Sequence, residues 1–162
     1  NGGPKEAMQI LNCLLLELGS DRYWMTFSVL ELDLLKSEFR FWNAGSPPAY
    51  QMHLDGTIQS IAARGAPLGS GALTVGFVSG PLAPGDRFFA YTDGLPEMNL
   101  AEKKSLGQKG VRRLLQNTRD LEAGEARTTL AAQVGELREG GPTQALADDL
   151  TFVLVDILKP AA

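Results

Sequence analysis

Arg87-Phe88-Phe89-Ala90-Tyr91-Thr92-Asp93-Gly94 is the stretch on which the reading of this chain turns. Its first half is an apolar β-strand, and the strand runs straight into an acid followed by glycine. A carboxylate placed at a strand end beside glycine projects into a cleft while the backbone turns away. An Asp-Gly step is also a common turn former. Asp93 therefore has two readings: a turn residue, or a ligand for a hard cation such as Mg²⁺ or Mn²⁺, which prefers carboxylate and water oxygens.

A second acidic step repeats the arrangement. Asp148-Asp149 directly precedes Leu150 to Leu158, a very apolar segment read as the final strand. Like charges held side by side repel, and a cation shared with Asp93 relieves that cost; the plain alternative is a solvated loop. Both acidic steps lie at the mouths of hydrophobic strands. That coincidence predicts that Asp93 and Asp148 converge closely enough for one cation to reach both.

Outward from these two strands the periodicity sets the class. Met8, Leu11, Leu15 and Leu18, with Ile10 and Leu14 alongside, give a helix over Pro4 to Leu18 with a wide apolar stripe. Residues Tyr23 to Leu32 and Glu38 to Trp42 turn β-rich, with Met25, Phe27 and Val29 on one side of the first run. Tyr50, Met52 and Leu54 alternate up to Asp55-Gly56, a strong hairpin signal, and Thr57 to Ile61 returns. Leu73 to Val78 and Arg87 to Tyr91 surround the turn Pro84-Gly85-Asp86. Lys109 to Asn117 and Glu122 to Leu137 read as helices before the last strand. One helix, several antiparallel strands, two helices and a strand make an α+β domain with a mostly antiparallel sheet. The helical stripes, Met8-Leu11-Leu15 and Leu130-Val134-Leu137, need the sheet as a partner surface, since isolated helices of this length are marginal in water.

Composition narrows the function. The 162 residues are one domain's worth of chain, 44% hydrophobic and 21% charged, which fits a folded globular protein. Fifteen Lys and Arg against 19 Asp and Glu leave a net charge of -4, a poor basis for sequence-independent nucleic-acid binding. Cys13 is the only cysteine, so neither an internal disulfide nor a cysteine-based zinc site can form, and a reducing cytosol fits. On the apolar helix, Cys13 is expected to act as a small buried hydrophobe. No apolar run reaches membrane-spanning length, and Leu14 to Leu18 lacks the length and basic flank of a signal peptide. His53, the only histidine, has no nucleophile placed near it and reads as a surface imidazole. The loop Gly65 to Gly71 lacks the Lys and Ser/Thr of a phosphate-cradling loop and reads as a turn passing close to other backbone.

Taken in order, the segments Asn43-Ala44-Gly45-Ser46-Pro47-Pro48, Asp55-Gly56, Pro67-Leu68-Gly69, Leu82-Ala83-Pro84-Gly85-Asp86, Tyr91-Thr92-Asp93-Gly94 with Glu97, and Asp148-Asp149-Leu150-Thr151 resemble the bacterial SpoIIE/RsbU-type serine/threonine phosphatases of the metal-dependent phosphatase 2C superfamily. The resemblance runs from about Pro4 to Leu158. It implies an antiparallel β-sandwich flanked by helices, with two Mn²⁺ or Mg²⁺ ions held by aspartates at one edge. By motif position Asp93 is one metal ligand and Asp148 a second, with Asp149 either a further ligand or a support to them. The implied reaction is hydrolysis of phosphoserine or phosphothreonine on a regulatory protein, of the STAS-type anti-sigma-factor-antagonist kind, in the bacterial cytoplasm. No nucleic-acid or membrane partner is implied.

Two departures from the family pattern are visible. Ser46 stands where the family commonly has histidine, a structural variation. The family's first metal motif, a Gly-Asp followed by Gly-His-Gly, lies upstream of the opening helix and occurs nowhere in these residues. The resemblance therefore covers the C-terminal two thirds of a phosphatase domain, over residues 1–162. An N-terminally truncated sandwich is expected to expose sheet edges that pair with another chain, as in a homodimer. It is also expected to be weakly active or inactive alone. Two alternatives stand beside this one: a non-catalytic phosphatase-like interaction module, and a small β-rich binding domain whose acids are only turn residues.

Overall fold

The computed structural model describes residues 2–19, 23–100, 104–137 and 149–159. In chain order the elements are α1 (Pro4–Gly19), β1 (Phe27–Asp33), β2 (Glu38–Ala44), β3 (Ala49–Met52), β4 (Ile58–Ile61), β5 (Gly76–Pro81), β6 (Arg87–Tyr91), α2 (Gly94–Glu97), β7 (Asn99–Leu100), β8 (Lys104–Ser105), α3 (Gly107–Gln116), α4 (Ala123–Leu137) and β9 (Phe152–Asp156). This is the expected α+β class, with antiparallel pairing throughout the registers recorded. The residues group into two units. One combines the chain up to Pro48 with Ile61–Leu82, the other Ala49–Ser60 with the chain from Ala83 onward.

The first unit holds a three-stranded sheet in the order β1-β2-β5. α1 covers it through Met8, which packs with Ala44 and Leu68 and is flanked by Leu11, Leu15, Met25, Phe27 and Val29. The expected inward stripe is thus correct for its first three members. Its fourth, Leu18, is exposed, as are Ile10 and Leu14. Cys13 is exposed as well, contrary to the expectation of burial. The buried place beside it belongs to Asn12, whose carboxamide donates to the Gly71 carbonyl (3.1 Å) and accepts from the Gly69 amide (2.8 Å). A polar side chain wins that position because the Gly-rich loop brings backbone groups that need partners. The same loop passes against other backbone as expected: a Cβ on Gly65 would lie 2.1 Å from the Asn43 carbonyl oxygen. Asn43 staples the Asn-Ala-Gly-Ser turn, bonding both the amide and the carbonyl of Ser46 at 2.8 Å and reaching the Ala63 carbonyl. These bonds use the backbone of Ser46, not its side chain.

The second unit holds a four-stranded sheet in the order β4-β3-β6-β9. Its core joins Tyr50, Met52, Phe89 and Tyr91 of the sheet to Val111, Leu114 and Leu115 of α3 and Leu130 and Val134 of α4. Both helices therefore pack on the sheet as their periodicity requires, although Leu137 at the end of the α4 stripe stays 42% exposed. The β3–β4 hairpin turns through Asp55-Gly56 as read, with the Gly56 amide donating to the His53 carbonyl (2.8 Å) and Gly56 at φ +84°. The Thr57 amide bonds the Asp55 carboxylate at 2.8 Å and, as the largest cause, holds its pKa below the ordinary carboxylate value. The strand ends two residues early, so Leu54 lies in the turn and is exposed.

Candidate metal centre

β6 is flanked by β3 and β9, with Phe89 opposite Tyr50 and Leu154, and Tyr91 opposite Phe152. Aromatic rings lock this strand in place: Phe89 lies 5.2 Å from Tyr91 and 6.0 Å from Phe152, and Tyr50 stacks on Tyr91 at 6.0 Å. The Tyr91 hydroxyl donates to the Gln108 carboxamide oxygen, and so does that of Tyr50, at 3.0 Å. These bonds tie the start of α3 to the strand. Burial, with the neighbouring Tyr50 adding to it, pushes the Tyr91 phenol far above the ordinary tyrosine value.

Past Tyr91 the ladder continues by side chain. The Thr92 amide donates to the Thr151 carbonyl (3.0 Å), and the Thr151 amide returns a bond to the Thr92 hydroxyl (2.9 Å). That hydroxyl also sits 3.3 Å from the Asp149 carbonyl oxygen. The segment before β9 is thus held to the end of β6. Asp93 follows in helical conformation (φ -57°, ψ -28°) as the cap of α2, yet its carboxylate makes no capping hydrogen bond. Gly94 is buried against the other acidic segment: a Cβ there would stand 2.4 Å from the Asp149 carbonyl oxygen. Its φ is not positive, so this glycine serves close backbone approach and not a left-handed turn.

Asp93 and Asp149 are both exposed, on two backbone segments in van der Waals contact. Asp148 lies outside the described residues, so its convergence with Asp93 is untouched by this geometry. The acids on these segments are hard donors: Asp93 and Asp149 on adjoining backbone, and Glu97 further along α2, placed there by its amide bond to the Asp93 carbonyl (3.0 Å). Among the described residues no group of three His, Cys, Asp or Glu side chains gathers into a metal cage. The chemistry fits a divalent cation that keeps much of its water, as Mg²⁺ does. Thr92 and Thr151 stand inside the motifs with no role that the sequence assigns. They carry the geometry, and their place beside the acids was the only signal for it.

His53 belongs elsewhere. Its Nδ1 lies 2.9 Å from Asp86, whose buried carboxylate also accepts from Gln51 (2.7 Å) and from the Ala83 amide (2.8 Å). Asp86 precedes β6 and Asp93 follows it, so the His53 pair is about 20 Å along the strand from Asp93 at the usual rise per residue. The imidazole is half-buried, not simply a surface group, and fastens the hairpin to the turn before β6.

A family model described as Stage II sporulation protein E (SpoIIE) matches residues 1–158. No curated protein sequence matches the chain. Solved structures do. The SiaA-PP2C domain of Pseudomonas aeruginosa aligns with TM-score 0.72 and 17% identity over 96% of this chain and 71% of its own. The phosphatase domain of the Bacillus subtilis cell-fate determinant SpoIIE, presoaked with Mn, aligns with TM-score 0.70 and 21% identity over 100% and 70%. The RsbU and RsbW domains of a Mycobacterium tuberculosis protein give TM-score 0.76 and 21% identity over 100% and 45%. These likenesses establish the PP2C-type fold. With the family model covering nearly all of the sequence, the chain belongs to the SpoIIE family.

Proposed function

We propose that this chain hydrolyses phosphoserine or phosphothreonine on a bacterial regulatory protein, of the STAS-type anti-sigma-factor-antagonist kind, using Mn²⁺ or Mg²⁺ at Asp93, Asp148 and Asp149. The observation that carries the reading is the backbone contact of Gly94 with Asp149, which sets two motif carboxylates on adjoining segments at one strand end. Bound there, the divalent ions supply an acidified water and a clamp for phosphoryl oxygens. Asp93 and Asp149 offer the oxygen ligands, with Asp148 as the aligned motif ligand. Thr92, bonded across to Thr151, fixes the separation of the two segments. Buried Leu95 and Phe89 below them make the strand end a rigid support. An upstream segment with the Gly-Asp and Gly-His-Gly elements completes the centre in this proposal, over a domain of which residues 1–162 form the C-terminal two thirds.

The test is phosphate release from a phosphothreonine peptide with and without Mn²⁺. Asp93→Asn is expected to lower turnover at least ~100-fold, by loss of ion positioning. His53→Ala, at the other end of β6, is expected to leave turnover nearly unchanged. A chain extended upstream through the first metal motif is expected to be faster than residues 1–162. Turnover that survives Asp93→Asn sinks the assignment. Phosphopeptide binding with no release in either length would favour the non-catalytic module instead.

A further inference from the structure

The charges of this chain are unevenly placed. Between Lys104 and Arg119 stand five cations, Lys104, Lys109, Arg112, Arg113 and Arg119, and no acid, in a protein of net charge -4. Three of them lie on α3, on the exposed side of a strongly two-faced helix whose other side buries Val111, Leu114 and Leu115. Lys109, Arg112 and Arg113 form no ion pair among the described residues, and like charges at this spacing repel one another along a helix. An uncompensated cationic face on an acidic protein calls for an acidic partner.

Beside that face is a groove. It has a volume of about 460 Å³ and lies between α3, α4 and the β7–β8 ribbon, with Leu100, Leu106, Leu114 and Leu137 giving it apolar walls. Lys109 and Arg113 stand on its α3 rim and Glu136 on the α4 rim. The volume falls within the roughly 300–1,000 Å³ of pockets that bury ligand groups. Apolar walls with a cationic rim match one kind of occupant: apolar side chains spaced along one face of a segment whose flanks are acidic, as when an amphipathic helix lies in a groove. A nucleic acid would use the cations and leave the leucine-lined depression unfilled.

We infer that the α3–α4 groove docks an acidic, apolar-anchored segment of a protein partner. Apolar anchors fill the space between Leu106 and Leu137, and glutamates or aspartates meet Lys109 and Arg113. The inference stands on the groove and its charges alone and does not depend on the phosphatase reading. The same unit also carries Asp93, and Gln108 links the start of α3 to β6, so a segment held here is held on the element that positions the candidate centre.

The experiment uses the whole chain and a fluorescein-labelled amphipathic peptide of about 14 residues, leucine at i, i+4 and i+7 with glutamate flanking, read by anisotropy. Saturable binding at about 10–100 μM is expected, weakening roughly tenfold as salt rises past the point where surface charges are screened. The double variant Lys109→Glu/Arg113→Glu changes only exposed side chains and is expected to lose at least tenfold of that affinity. It is also expected to gain affinity for the matching lysine-leucine peptide, and Leu137→Ser to weaken both. Equal binding of the two peptides by the unaltered chain, or no binding at millimolar peptide, overturns the inference. So does binding to anionic vesicles without peptide binding, or self-association that the double variant abolishes.

Discussion

Replacing Gly94 by alanine tests the strand-end geometry with a single methyl group. The added Cβ would lie 2.4 Å from the Asp149 carbonyl oxygen and 3.1 Å from its carbon, both backbone atoms. Ordinary carbon–oxygen contact begins near 3.4 Å, so the two segments must part by about 1 Å, since neither obstacle is a side chain that can rotate away. Overpacking of this kind costs about 1–3 kcal/mol. For a domain of this size that lowers Tm by roughly 2–12 °C. The catalytic effect should be larger than the loss of stability suggests, because a misplacement of about 1 Å can cost on the order of 100-fold in rate. The assay pairs thermal unfolding with Mn²⁺-dependent phosphate release, titrating Mn²⁺ to separate weak ion binding from slow turnover. Gly124→Ala is the control: it sits in α4 with nothing within 4 Å of its new Cβ, and should raise stability by up to about 1 kcal/mol. If Gly94→Ala matches the unaltered chain in both stability and Mn²⁺ response, close approach of the two acidic segments is irrelevant and the centre is misplaced.

Two further outcomes follow from buried polar groups. Arg87, 5% exposed, grips both Asp156 oxygens (2.6 and 2.7 Å) and the Thr118 and Leu121 carbonyls (2.6 Å each), so Arg87→Met should cost about 3–5 kcal/mol by stranding Asp156, with partial recovery in Arg87→Met/Asp156→Leu measured by denaturant melts. Tyr91 has its folded pKa raised by burial, so the stability this gives is whole below the unfolded tyrosine value near 10 and declines as pH climbs above it. Tyr91→Phe should flatten that alkaline decline while costing about 1 kcal/mol at neutral pH for the lost bond to Gln108; an unchanged slope above pH ~10 would refute it.

Much of the fold was legible because its signals are local. Asp55-Gly56 marked its hairpin, the aromatic run marked β6, and the stripes Met8-Leu11-Leu15 and Leu130-Val134 marked the inner faces of α1 and α4. Errors arose where a distant segment decides. Leu73 to Val78 reads as a strand, yet β5 begins at Gly76; Leu73 and Val75 instead pack with Met8 and Leu68, outside the ladder. Gly76 then takes the pairing because its backbone lies against Ala63 and Arg64, where a Cβ would come within 2.6 Å. The exposure of Cys13 and the burial of Asn12 likewise follow from the carbonyl and amide groups of a loop some sixty residues on, which helical periodicity cannot foresee. The two-residue ribbon β7–β8 and the single turn of α2 are too short to carry a period at all.

The candidate site shows the same division between what a residue type offers and what its neighbours leave it. Gly85-Asp86 and Asp93-Gly94 bracket one strand, and in sequence both are an acid beside glycine at a strand end. Asp86 is 3% exposed and its oxygens meet Gln51, the Ala83 amide and His53, so its acceptor capacity is spent on holding a turn and a hairpin. Asp93 is exposed and makes no capping bond to α2, because its helical backbone angles (φ -57°, ψ -28°) are not the extended ones from which an N-cap side chain reaches back to the first amides. The same residue type beside glycine is thus spent on internal partners at one end of β6 and exposed at the other, where a buried glycine brings the Asp149 backbone close. Burial separates the two ends of β6: Asp86 is committed to the fold, while Asp93 faces solvent and is the acid on which the proposed metal centre draws.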